Sequence, residues 1–138
     1  MPKRVQWDTR YSSGSEAVDD RYRSILARCN AMADCLDQGG IESNRIFDEM
    51  LNSLLAHALQ HFAWEEAILE IGESPELDNH RCEQEEFRFL TAEIITTVNF
   101  NRAELQTFLA LWWSGHFVAA SDNFRTLFEQ PLAAANGT

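Results

Sequence analysis

A histidine and a glutamate interrupt the apolar seam of the longest helical pattern in this chain. The pattern runs from about Asn44 to Glu70, with Phe47, Leu51, Leu54, Ala58 and Ile68 recurring at helical spacing. The two beats missing between Ala58 and Ile68 fall on His61 and Glu65. An imidazole and a carboxylate one turn apart are therefore aimed at the interior of whatever this helix packs against. A carboxylate left unpaired in a core is strongly unfavourable. The rest of the chain has to meet it with a polar network, with water or with a metal ion.

Three further helical patterns supply the packing partners. The first has its seam at Val18, Tyr22, Ile25, Cys29, Met32 and Leu36 and stops at Gln38-Gly39-Gly40, where glycine can adopt the cap conformation. Gly72 and Pro75 break the chain after the His61–Glu65 helix. A third seam follows at Leu77, His80, Gln84, Phe87, Thr91, Ile94 and Val98, and a fourth at Leu105, Leu109, Trp112, His116 and Ala119. The expected helices are 16–38, 43–70, 77–98 and 102–120. Short connections and heptad-like seams predict an all-α, antiparallel up-down four-helix bundle. Residues 1–15 read as an N-terminal arm, with Trp7 closing one end of the bundle. Residues 16–130 form the bundle and 131–138 a flexible tail.

At 138 residues the chain suits a single core, and at 45% hydrophobic and 11% aromatic residues it can fold without disulfides. The net charge of −11 excludes nucleic acid as a partner and otherwise describes a solvated acidic surface. Cys29, Cys35 and Cys82 are an odd number without a C-x-x-C pair, which predicts reduced thiols, with Cys29 in the core. Met1-Pro2-Lys3-Arg4 leads into no apolar signal segment, and the longest apolar run, 108–113, is too short to span a membrane. The chain is thus expected to be cytoplasmic, with no membrane partner. It has no glycine-rich phosphate loop and no assignable Ser-His-Asp or Cys-His set, so no enzyme is expected.

Antiparallel packing brings late positions of the second helix level with early positions of the third. Tyr22, His61, Glu65, His80, Gln84 and His116 then share one end of the bundle. The expectation is a cluster of His61, Glu65, His80 and His116 with Tyr22 and Gln84 on its rim. Imidazole and carboxylate donors without a thiolate suit zinc, iron or manganese. His57, one turn before His61, reads as a hydrogen-bonding wall residue or a replacement ligand. Glu66, Glu83 and Glu85 are expected to face solvent, and Trp64 and Trp113 to flank the site as packing.

These residues resemble the hemerythrin family, and within it the bacterial single-domain members, over about residues 5–122. The opening Trp7-Asp8-x-x-Tyr11-x-x-Gly14-x-x-x-Val18-Asp19 is similar to the family's. So are His61-Phe62-x-x-Glu65-Glu66, Pro75 with His80 and Phe87, and Trp112-Trp113-x-x-His116-Phe117. The resemblance implies a non-haem di-iron pair, held by five histidines and two bridging carboxylates, that binds dioxygen reversibly. His61, Glu65, His80 and His116 occupy ligand positions. Three positions depart: Tyr22 and Gln84 stand in place of histidines, and Ser121 in place of the bridging aspartate, with Asp122 beside it as a substitute carboxylate. Tyr22 and Gln84 can each offer oxygen, and a phenolate at Tyr22 favours ferric iron. The implied function is binding of non-haem iron, one ion or two, or another divalent metal. Dioxygen or another small diatomic molecule is the implied ligand, oxygen or redox sensing the process, and reversible carriage is weakened by the altered set. Two other readings fit the same residues: a metal-free relative kept as an interaction or regulatory module, and a redox enzyme with a mononuclear or mixed-ligand iron site.

Overall fold

A computed structural model describes residues 2–129; the expected tail, 131–138, lies outside them. Four helices follow a short 3-10 turn at Thr9–Tyr11: α1 (Glu16–Gln38), α2 (Ser43–Ile71), α3 (Leu77–Thr96) and α4 (Arg102–Phe128). There is no strand among the described residues, and no helix among them is long and apolar enough to cross a membrane.

Local chemistry sets the helix ends. The Ser15 side chain accepts from Val18 N–H to start α1, and the Asn101 side chain accepts from Glu104 N–H to start α4. Gly39 and Gly40, with φ of 63° and 100°, turn the chain from α1 into α2, a conformation in which a side chain would be strained. Two ends differ from the sequence expectation. α4 runs on to Phe128, because no breaker precedes Pro131 and the apolar beat continues through Ala120 and Phe124. α3 stops at Thr96 rather than Val98: the hydroxyls of Thr96 and Thr97 bond back to the Ala92 and Glu93 carbonyls, and Thr97 turns extended.

Neighbouring helices run antiparallel. α2 and α4, by contrast, run parallel: Arg102 at the start of α4 makes a two-pronged ion pair with Asp48 near the start of α2, with both N···O distances 2.9 Å. Tyr22 near the start of α1 meets Glu65 near the end of α2. The core is a continuous run of buried residues, including Phe47, Phe62, Phe87, Leu109, Trp113 and Phe117. Cys29 lies in it, its thiol pushed up to about 12 by burial. On α4 the buried seam positions are Trp113 and Ala120; Trp112 is half-buried and Ala119 exposed, one residue out of the expected phase. Gly72 meets α4 closely: a Cβ there would lie 2.6 Å from Leu127 Cδ1.

The N-terminal arm is stitched along α1 and α4. Asn30 exchanges hydrogen bonds with the backbone of Val5, both at 2.9 Å. The fully buried Gln106 accepts from Lys3 N–H and donates to the carbonyls of Lys3 and Cys29. Ser12 and Ser13 bond the carboxylate of Asp19, and Arg125 donates to the Ser12 carbonyl. Trp7 packs edge-on against Tyr11 and lies under the guanidinium of Arg23.

Candidate metal centre

Glu65 is fully buried and stands at the centre of a polar cluster drawn from all four helices. His116 Nε2 lies 2.8 Å from its Oε1 and His80 Nε2 3.2 Å from the same oxygen. His61 Nε2, from the preceding turn of α2, is 3.0 Å from that oxygen but out of line for a hydrogen bond. The other carboxylate oxygen accepts from the Tyr22 hydroxyl at 2.9 Å. All three imidazoles are at least nine-tenths buried. Among the described residues the Nδ1 atoms of His61 and His80 have no hydrogen-bond partner, whereas His116 Nδ1 meets Glu83 Oε2 at 3.4 Å.

Aromatic rings fix the cluster sideways. Trp112 stacks on His116 with ring centroids 5.2 Å apart and planes 9° apart. Trp113 stands edge-on to both His61 and His116, and Tyr22 stacks on Phe117. Arg21 sits over Trp64, which adjoins His61 from the outside.

Electrostatics follow from this geometry. Burial alone pushes the Glu65 carboxyl up, but the charges of His116 and His61 outweigh it and hold the group well below the usual carboxylate range. Burial likewise opposes a charge on His116, yet Glu65 and then Glu83 raise it to about 9. Without metal, Glu65 and His116 therefore form a buried ion pair at neutral pH. The Tyr22 hydroxyl is pushed far above an ordinary phenol, first by burial and then by the Glu65 charge, so it is a donor and not a phenolate here.

The structure thus brings His61, Glu65, His80 and His116 together and corrects several finer expectations. Tyr22 is not on the rim: it is wholly buried and bonded to Glu65. Gln84 is half-buried on α3 and takes no part in the hydrogen bonds around Glu65. Glu83 is exposed, as expected, yet its carboxylate also reaches His116, and Glu66, expected in solvent, is half-buried and pairs with Arg81 of α3 at 2.6 Å. The His80–Glu83 spacing, one helical turn on the same face, is the signal that could have marked Glu83. Ser121 is buried, but its hydroxyl donates to the Arg10 carbonyl at 2.7 Å. Asp122 is exposed and pairs with Arg125. His57 is exposed in a shallow depression beside Arg21, Gln60 and His61.

The donor set fits a metal ion. One ligand atom each from His61, Glu65 and His116 falls within 4.8 Å of the others, and all three residues are buried. His80 Nε2 borders the same carboxylate oxygen. A cleft of about 420 Å³ opens between α3 and α4, with His80 and His116 in its lining and Glu76, Glu83, Glu86 and Asp122 around them.

Comparison with known proteins agrees with this geometry. The family model described as the hemerythrin HHE cation binding domain matches residues 13–127. A bacteriohemerythrin from Ralstonia nicotianae is 30% identical over 90 residues, which cover 65% of this chain and 61% of the relative. The chain thus spans about three-fifths of the length of that relative. No solved structure matches significantly. The four-helix fold, the buried histidine–glutamate cluster and the extent of the family match lead to one assignment: this chain belongs to the hemerythrin family and carries its metal-binding domain.

Proposed function

We propose that this protein binds one non-haem metal ion, iron foremost, at His61, Glu65 and His116 with His80 adjoining, in the service of oxygen or redox sensing and not of reversible oxygen carriage. The observation that carries this reading is the convergence of three imidazole Nε2 atoms within 2.8–3.2 Å of a single buried carboxylate oxygen. Nitrogen and carboxylate donors suit iron, manganese and zinc. An iron ion held there supplies a redox-active centre able to take a small diatomic molecule. The chain's own residues do the rest. Glu65 is the anionic anchor, Tyr22 holds its second oxygen, and Trp112 and Trp113 confine the imidazoles. The cleft beside His80 and His116 gives a small ligand an approach.

A second ion is poorly provided for. Ser121, at the position of the family's bridging aspartate, spends its hydroxyl on Arg10, and Tyr22 is a protonated donor. The test is anaerobic reconstitution with ferrous iron of protein purified without a histidine tag, followed by repeated admission and removal of dioxygen under a visible spectrometer. The expected result is one iron per chain, lost in Glu65→Ala and His116→Ala, with no band that comes and goes over the cycles. Two irons per chain with a reversible band would overturn the single-ion reading. A protein that takes up no iron, manganese or zinc would favour a metal-free module, in which the Glu65–His116 ion pair serves only the core.

A further inference from the structure

His116 is gripped at both ring nitrogens, and it alone among the three imidazoles has a hydrogen-bond partner at Nδ1. Trp112 lies parallel to the ring and fixes its plane. A parallel stack cannot choose between the two orientations related by turning the ring over about the Cβ–Cγ bond, because both keep the same plane. That turn exchanges Nδ1 with a carbon and carries Nε2 away from Glu65. A hydrogen-bond acceptor on the Nδ1 side does choose, and it also places the proton on Nδ1 and leaves the Nε2 lone pair free. Glu83 is placed to be that acceptor. It projects from α3 one turn after His80, and its Oε2 stands 3.4 Å from Nδ1. Its side chain is 48% exposed in the cleft, so it reaches the ring from the solvent side.

We infer that Glu83 is a positioning residue: its carboxylate accepts from His116 Nδ1–H, holds the ring with Nε2 toward Glu65, and thereby strengthens metal binding at the cluster. This rests on the metal-binding reading above. The role falls to Glu83 and not to its neighbour Gln84, which the helical seam had placed on the rim of the cluster.

Cobalt(II) is a suitable probe, because its visible spectrum reports the ligand set. Affinity is measured by competition with a chelating dye for the parent, Glu83→Ala, Glu83→Gln and the control Glu86→Ala, which alters another carboxylate of the same cleft. Thermal unfolding of each metal-free protein checks that it folds. Glu83→Ala should weaken cobalt binding by roughly ten- to a hundredfold and change the cobalt spectrum. Glu83→Gln should recover most of the affinity, since an amide oxygen still accepts from Nδ1–H. Glu86→Ala should stay within about twofold, as expected for an exposed charge. Nitrogen-15 spectra of the zinc-loaded parent should show His116 protonated at Nδ1, a readout that needs no variant to fold. The inference is overturned if His116 carries its proton on Nε2, if Glu83→Ala binds like the parent, or if Glu86→Ala weakens binding as much as Glu83→Ala. A parent that binds no cobalt removes the metal reading and this inference with it; a parent that binds while Glu83→Ala is unaffected removes the inference alone.

Discussion

A carboxylate buried as deeply as Glu65 persists only where its charge is answered, and without metal the answer is the charged ring of His116. Each partner shifts the other, and the two shifts act on stability in opposite directions of pH. His116 is raised from 6.5 to about 9, so its contribution is fully present below pH 6.5 and is lost as pH rises through about 9. Glu65 is depressed from 4.5, so its contribution is present above that value and is lost as pH falls through the lowered one. Urea unfolding of the metal-free protein should therefore show a decline in stability between pH 6.5 and about 9 that Glu65→Gln lacks. Identical profiles for the two proteins would refute the ion pair. The same proton competes with a metal ion for His116 Nε2. Zinc affinity should accordingly rise as pH is raised across that interval, and a pH-independent affinity would mean that His116 is not a ligand.

At the scale of the element, Ser121 shows how one helix position can anchor a distant segment of the chain. Its hydroxyl ties α4 to the arm at the Arg10 carbonyl, and Arg125 one turn on ties it to Ser12. Ser121→Asp sets a carboxylate against that carbonyl. It should cost about 1–3 kcal/mol in urea unfolding and speed proteolysis of the arm, without adding a second iron. Unchanged stability together with a second bound iron would show that the position still belongs to the metal site. The helices themselves were legible because period, caps and breakers agree: Ser15, Asn101, Gly39 and Gly40 mark their ends in the sequence as in the fold. The polar cluster was legible because His61 and Glu65 break an apolar beat. What the sequence did not disclose are contacts whose two halves lie far apart. Tyr22 and Glu65 are 43 residues apart: the seam turns the phenol inward, but nothing local says that its hydroxyl meets that carboxylate. Glu83 and Gln84 both border the buried stripe of α3, and heptad counting selects Gln84. The one-turn spacing from His80 fits Glu83 as well, and the position of His116 on another helix decides between them.

At the scale of the molecule, the four helices are not held alike. The arm binds α1 to α4 through Gln106, Asn30, Ser121 and Arg125, and Arg102 with Asp48 binds α4 to α2. α3 packs chiefly on α2 and buries fully only His80, Phe87 and Thr91. Its side toward α4 is partly open, at the cleft. Amide hydrogen exchange should rank the elements accordingly, with α3 exchanging well before the middles of α1, α2 and α4. Equal protection of all four helices would contradict this. The consequence is one of traffic. α1, α2 and α4 carry Tyr22, His61, Glu65 and His116, while α3, the helix with the fewest fully buried residues, brings His80 and Glu83 to the cleft that borders them. For an ion bound as proposed, the cleft on the α3 side is the short way in and out.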